Sequence, residues 1–295
     1  MPRHVFRLGT SIVLALATTS LAACRREPAA PAVARPTVTL NRDSAALGSP
    51  IDITYRFDVT SDAAFDGDYL VMLHVLDVDK QLLWTDDHPP AVPTSQWKPG
   101  QTVQYTRTVF VPVYPYVGEA TLQVGLYSPS TQKRLALAGD DMARRAYNAG
   151  HLRLLPQNAG TLVTFKSGWH PAESPRGDPT VEWHWTKKDA VLAFANPRRD
   201  STLFLDLDTT GTWTEPQEVR VRLGNGAVDQ FQLSPSHRLL KRIPLRAAQF
   251  GSGPTAEIEI GVDKTFVPAI ITNGTNRDAR ELGIRVFHVA IDPQP

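Results

Sequence analysis

Apolar and polar residues alternate in period two along most of the chain beyond residue 50. The alternation is plain in Ile51-Asp-Ile-Thr-Tyr-Arg-Phe-Asp-Val59 and returns over residues 69–76, 102–111, 120–127 and 151–155. Successive side chains of a strand point to opposite faces, so each run predicts a strand with one face in a core and one toward solvent. Asp66-Gly67-Asp68, Lys98-Pro99-Gly100 and Val117-Gly118 supply turn chemistry between the runs. About seven or eight short strands in roughly 120 residues predict an antiparallel β-sandwich of immunoglobulin-like type. Residues 140–147 break the alternation and read as one helical turn or a crossing loop.

Alternation resumes over residues 181–185, 190–194, 202–208, 218–223, 229–233, 239–245, 256–262 and 282–291, with Asn225-Gly226 as a hairpin turn. These runs predict a second sandwich, of jelly-roll type. Pro156-Gln-Asn-Ala-Gly160 marks the boundary, which gives domains at 37–155 and 160–295. The halves are not copies of each other: all seven Tyr precede residue 148, whereas four of the six Trp follow residue 168. The expected fold class is all-β, two antiparallel sandwiches in series.

The first residues are of another kind. Arg3, His4 and Arg7 precede an apolar run from Leu8 to Ala23. That run is shorter than the ~20 residues of a spanning helix and reads as a signal peptide over 1–23. It ends in Leu21-Ala22-Ala23-Cys24, which resembles the lipobox of bacterial lipoproteins and uses the one Cys of the chain. The resemblance implies that the Cys24 thiol takes a diacylglyceryl group and that cleavage makes Cys24 the first residue. Acyl chains at about 0.8 kcal/mol per buried CH₂ would anchor the protein in a membrane. Residues 24–36, rich in Pro and Ala, then read as an extended tether reaching up to ~35 Å. By the same resemblance, Arg25 rather than Asp after the Cys points to outer-membrane sorting and a periplasm-facing protein of the cell envelope.

Composition narrows the function. Lys and Arg number 31 against 30 Asp and Glu, so no bulk field draws the chain to nucleic acid. A single Cys excludes a disulfide framework and a Cys-rich metal site. No Gly-x-Ser-x-Gly, His-Glu-x-x-His or Walker loop is present, and no cofactor is expected. Asp206-Leu-Asp208-Thr-Thr210-Gly211 copies the start of a calcium loop, but Gln217 stands where the bidentate Glu belongs, so it reads as the polar face of a strand entering a turn.

Three sets of residues remain. Asp86, Asp87 and His88, with His74 on an earlier strand, read as buried polar groups that satisfy one another around a Pro-rich connection rather than as metal ligands. Trp169, Trp183 and Trp185 with Glu173 read either as a sugar platform or as sandwich core. Asp278 and Arg280 read either as a ligand edge or as an ion pair that pins a long loop to the last strand.

Asp86-Asp-His-Pro-Pro90, Trp97-Lys-Pro-Gly100 and Val124-Gly-Leu-Tyr127 with Arg134-Leu135 resemble the β-sandwich appended to bacterial membrane glycosyltransferases of the mannosyltransferase type. Gly168-Trp-His-Pro171, Glu173, Trp183-His-Trp185 and Phe266-Val-Pro268 with Asp278-Ala-Arg-Glu-Leu-Gly283 resemble a β-domain of bacterial surface-polysaccharide synthesis proteins. The resemblance implies β-sandwiches in a surface-glycan setting and transfers no catalytic residue. The expectation is therefore a non-catalytic envelope lipoprotein that binds glycan or assists polysaccharide synthesis or export, with Trp169, Glu173, Trp183, Trp185 and Arg280 as its sugar site. A scaffold that docks envelope proteins without binding sugar is the alternative. A hydrolase stands third, because its carboxylate pair is a spatial feature that sequence does not display.

Overall fold

The run at Ile51–Val59 becomes one long strand in the computed structural model, which describes residues 30–294 apart from Pro179 and Gly211. The leader and Cys24 lie outside the described residues. The first half contributes β1 (Ala34–Leu40), β2 (Ser44–Ala46), β3 (Pro50–Val59), β4 (Leu70–Leu76), β5 (Leu82–Thr85), β6 (Thr102–Phe110), β7 (Gly118–Tyr127), β8 (Asp141–Ala143) and β9 (Ala146–Leu155). One sheet runs β1-β3-β6 and the other β2-β9-β7-β4-β5, with β8 paired to β9. All these pairings are antiparallel except β2 with β9. Tyr55, Phe57, Leu73, Leu122, Leu126 and Leu152 alternate inward from both sheets and are fully buried in a shared core. This is the immunoglobulin-like sandwich that the alternation predicts.

The second half contributes β10 (Val163–Phe165), β11 (His184–Trp185), β12 (Asp189–Ala195), β13 (Ser201–Asp208), β14 (Gln217–Leu223), β15 (Gly226–Leu233), β16 (Leu239–Leu245), β17 (Thr255–Val262) and β18 (Arg285–Pro293). A five-stranded sheet ordered β10-β12-β17-β14-β15 packs on a four-stranded sheet ordered β11-β18-β13-β16. The chain crosses between sheets at almost every connection from β12 to β18, the interleaving of a jelly roll. Leu203, Leu205 and Leu207 of β13 meet Val219, Val221, Ile258 and Ile260 of the opposite sheet in its core.

The structure departs from the expected elements at three places. β1 begins at Ala34, so Ala34, Arg35 and Pro36 belong to a sheet and not to the tether. Ala34 is buried, and Pro36 is tolerated because β1 is an edge strand. Residues 140–147 form neither a helical turn nor a crossing loop. β8 and β9 make a tight hairpin there, turned by Arg144 and Arg145 at φ 54° and 59°. The run at 181–185 pairs as regular strand only over His184–Trp185, while Trp183 bridges Glu173 in a separate narrow hairpin.

The two sandwiches meet through polar groups. Arg42 donates to both carboxylate oxygens of Asp292, at 3.0 and 2.6 Å. Phe110 of β6 lies flat on His288 of β18, with ring centroids 4.4 Å apart and planes 6° from parallel.

Candidate functional site

β13 places Phe204, Asp206 and Asp208 on the face opposite its core leucines, which is the outer face of the four-stranded sheet. Both carboxylates are largely buried, with side chains 11% and 10% exposed. Two such charges need partners, and each takes a guanidinium in bidentate fashion. Arg238 donates to Asp206 at 2.7 and 2.6 Å, and Arg285 to Asp208 at 2.8 and 2.6 Å. His288 adds a third bond, from Nδ1 to Asp206 at 2.9 Å. Burial pushes the Asp206 carboxyl up, but the bonds from Arg238 and His288 outweigh it and hold the group below the usual carboxylate range.

A bulge in β18 brings these groups together. Asp206 faces His288 and Leu207 faces Val286, which leaves Phe287 as the extra residue on the bulged strand. Its ring then lies under the Arg238 guanidinium, 3.8 Å from the centroid. Arg285 sits 5.0 Å from the ring centroid of Trp183 and 5.4 Å from that of Phe287. Aromatic faces and planar cations attract in this arrangement, so the two guanidinium groups are held by stacking as well as by carboxylates.

Both ends of this face are covered. At one end Trp185 is buried beneath Phe266 and Leu282, with Trp183 and Trp213 packed beside them. At the other end Phe204 meets Phe110 of the first sandwich edge to face. Between the covers, Arg238 and His288 are each 44% exposed and Arg285 is 26% exposed. The open strip is therefore two fixed guanidinium groups and an imidazole on a floor of aromatic rings.

The three tryptophans of the expected platform take separate places. Trp169 faces the second core, where its Nε1 donates to the Val191 carbonyl at 2.8 Å. Trp185 is 7% exposed and fills the covered end of the sheet. Trp183 alone of the three borders the open strip. Glu173, Asp278 and Arg280 do come together: Arg280 donates to Asp278 at 2.7–3.1 Å and also to Glu173. This triad ties the hairpin carrying Trp183 to the loop before β18, and it spends the carboxylates on Arg280. Arg280 in turn holds the Asp278 carboxyl down at about 2.

The Asp86–His88 segment splits into two clusters because neighbouring residues face opposite ways. Asp86 and His88 point inward. Tyr55 donates to Asp86 at 2.8 Å, Arg107 donates at 3.0 and 2.9 Å, and His88 joins the Asp86 carbonyl at 2.7 Å and the Tyr105 hydroxyl at 2.8 Å. Burial raises the Asp86 carboxyl, yet the bonds from His88 and Arg107 prevail and hold it well below its ordinary range. The cluster pins the connection after β5 to β3 and β6 of the facing sheet. Asp87 points outward, accepts from the Leu73 amide at 3.2 Å and lies 3.9 Å from His74.

Among the described residues, no group of three or more His, Cys, Asp or Glu is placed to hold a metal ion. Gln217 is buried and bonds Thr209 and the Lys264 carbonyl. Asp206 and Asp208 line the polar face of a strand, as their alternation with leucine predicts. Sequence reading missed Arg238, Arg285, Phe287 and His288 as site residues. Arg238 stands in the irregular stretch before β16 and the other three at or beside a bulge, where period two gives no guide.

No family model matches this chain, and no curated protein matches it in sequence. Solved structures similar to it include the secreted serine protease VesC from Vibrio cholerae, at 11% identity and TM-score 0.24, over 88% of this chain and 51% of that one. Bacteroides uniformis beta-glucuronidase 2 is similar at 10% identity and TM-score 0.31, over 88% of this chain and 30% of that one. The sporulation control protein Spo0M from Bacillus subtilis is similar at 10% identity and TM-score 0.29, over 74% of this chain and 92% of that one. The chain spans about half or less of the length of the first two. Likeness at this level speaks to neither the fold nor the function.

Proposed function

We propose that this chain is a lipid-anchored protein of the bacterial cell envelope that binds glycan on the outer face of its four-stranded sheet and carries out no reaction on it. The observation that carries this reading is the open strip between the two covers. There Arg238, Arg285 and His288 are fixed by buried Asp206 and Asp208 above the rings of Phe287 and Trp183. Sugars are bound by convergent, immobilised hydrogen-bonding groups, and the strip supplies them, with the rings beneath holding the guanidinium groups in place. Asp206 and Asp208 are each tied up bidentately, and Asp206 is held below the usual carboxylate range, which suits neither to act as a general acid. The anchor rests on Leu21-Ala22-Ala23-Cys24.

The test is titration of the full chain, in detergent, with capsular, exopolysaccharide and lipopolysaccharide fragments, alongside Trp183→Ala. Saturable binding that the variant weakens while keeping its circular dichroism supports the reading. Absence of binding to every fragment overturns it in favour of a protein-docking scaffold, for which crosslinking in the envelope is the next measurement.

A further inference from the structure

We propose that the glycan taken by this site is anionic, and that Arg238 and Arg285 form a paired fork for a carboxylate or phosphate group that it carries. The inference rests on the glycan-binding reading and deepens it. Each guanidinium has five N–H donors in a rigid plane. Arg238 and Arg285 each turn Nε and Nη2 to a buried aspartate, and among the described residues the Nη1 nitrogen of neither makes a hydrogen bond. The fixed orientation of each plane therefore leaves one edge of N–H groups for an incoming acceptor.

The balance of the site favours an acceptor over a neutral sugar face. Phe287 lies 3.8 Å beneath Arg238, and Trp183 lies 5.0 Å from Arg285, so guanidinium groups already occupy the ring faces on which a pyranose would stack. The aspartates, nearly buried, are engaged by the same cations. What remains open is donors: the free N–H edges of the two guanidinium groups, with the half-exposed ring of His288 beside them. Arginine held flat by a carboxylate on one edge matches the planar, bidentate geometry of carboxylate and phosphate on the other. The Asp206 and Asp208 charges keep both guanidinium groups in place before a ligand arrives, which lowers the ordering cost of binding.

The experiment titrates the full chain in detergent with four probes: oligogalacturonate, the same oligosaccharide with its carboxyl groups reduced to alcohols, a phosphorylated mannan fragment and that fragment after dephosphorylation. The same titrations are run on Arg238→Gln and on the milder Arg238→Lys, chosen because His288 still satisfies Asp206 in both. The expected result is binding of a charged probe about tenfold or more tighter than its neutral counterpart, the worth of one charged hydrogen bond. That preference falls in Arg238→Gln and is only partly kept in Arg238→Lys, which retains charge without the fork. Preference for galacturonate assigns a uronate-type carboxylate, and preference for the phosphorylated mannan assigns a phosphate. Equal binding of charged and neutral probes, weakened by Trp183→Ala, overturns the anionic inference and leaves glycan binding standing. Charge preference unaltered in both Arg238 variants overturns the assignment to this fork. No binding of any probe overturns the anionic inference, and the titration with capsular, exopolysaccharide and lipopolysaccharide fragments decides the glycan-binding reading separately.

Discussion

Arg242 of β16 reaches across the junction between the sandwiches and donates to both carboxylate oxygens of Asp52 in β3, at 2.6 and 3.1 Å. The pair formed by Arg42 and Asp292 runs in the opposite sense: the first sandwich supplies the acid in one contact and the base in the other. The two bridges fix an orientation that neither charge pattern alone would select, with the Phe110–His288 stack beside them.

These contacts are partly exposed, with Arg242 45% and Asp52 25% accessible, so screening limits their worth. Asp52→Ala is expected to cost about 1 kcal/mol at low salt, a fall of about 2–4 °C in the unfolding midpoint. Calorimetry at low and high salt checks this, and the difference from wild type should shrink at high salt.

Asp86 and Asp87 are neighbours in sequence with unequal duties. Asp86→Asn removes the charge from a buried carboxylate that accepts from Tyr55 and from a half-exposed Arg107, and is expected to cost about 2 kcal/mol. Asp87→Asn keeps an oxygen to accept the one long bond from the Leu73 amide and loses only a charge, so it is expected to cost less than about 1 kcal/mol. Urea unfolding of the two variants side by side measures the difference.

Acid should unfold the protein through Asp86 and Asp206, whose carboxyls are held below the ordinary range in the fold. A depressed folded value means that the unfolded chain takes protons first. The stability these groups contribute is full above the unfolded carboxylate value of about 3.9 and is lost as pH falls below it toward the folded values. Stability against urea, followed from neutral pH down through pH ~4, should drop steeply in wild type and with a shallower slope in Asp86→Asn.

Gly168 opens the Gly-Trp-His-Pro segment at φ 80°, and a Cβ there would run into the carbonyl oxygen of Asp189. Backbone on both sides leaves nothing to yield. Gly168→Ala is expected to cost about 3 kcal/mol or more, measured by denaturant midpoint, because left-handed strain and a backbone clash act together.

Trp185 and Trp183 differ by two positions and should differ in effect. Trp185→Ala empties the small core beneath Phe266 and Leu282 and is expected to cost about 3–5 kcal/mol. Trp183→Ala, at the border of the open strip, is expected to cost clearly less and to weaken ligand binding. Denaturation and titration of both variants separate the two roles.

Strands that alternate cleanly were legible from sequence. The run at Ile51–Val59 buries Ile51, Ile53, Tyr55, Phe57 and Val59 on one face, and Asn225-Gly226 turns β14 into β15. The site was legible only in pieces. Asp206 and Asp208 announced a polar strand face, but their partners lie about 30 and 77 residues away, a separation at which alternation carries no information. The tryptophans were conspicuous by size, and size did not tell a ring that borders an open face from one that fills a core. Trp169 and Trp183 look alike in the chain; which side of the sheet each takes is decided by pairing to Thr186 and to Glu173.

β18 is the last of the described strands in chain order, yet it lies between β11 and β13 and not at the margin of its sheet. It also brings Arg285, Phe287, His288 and Asp292, so part of the open strip, the floor beneath it and one of the junction bridges arrive together with this one strand. Until then β13 has an unpaired edge and Asp208 has no countercharge. The four-stranded sheet thus cannot close until β18 docks between its neighbours, and the binding face is acquired in that single step.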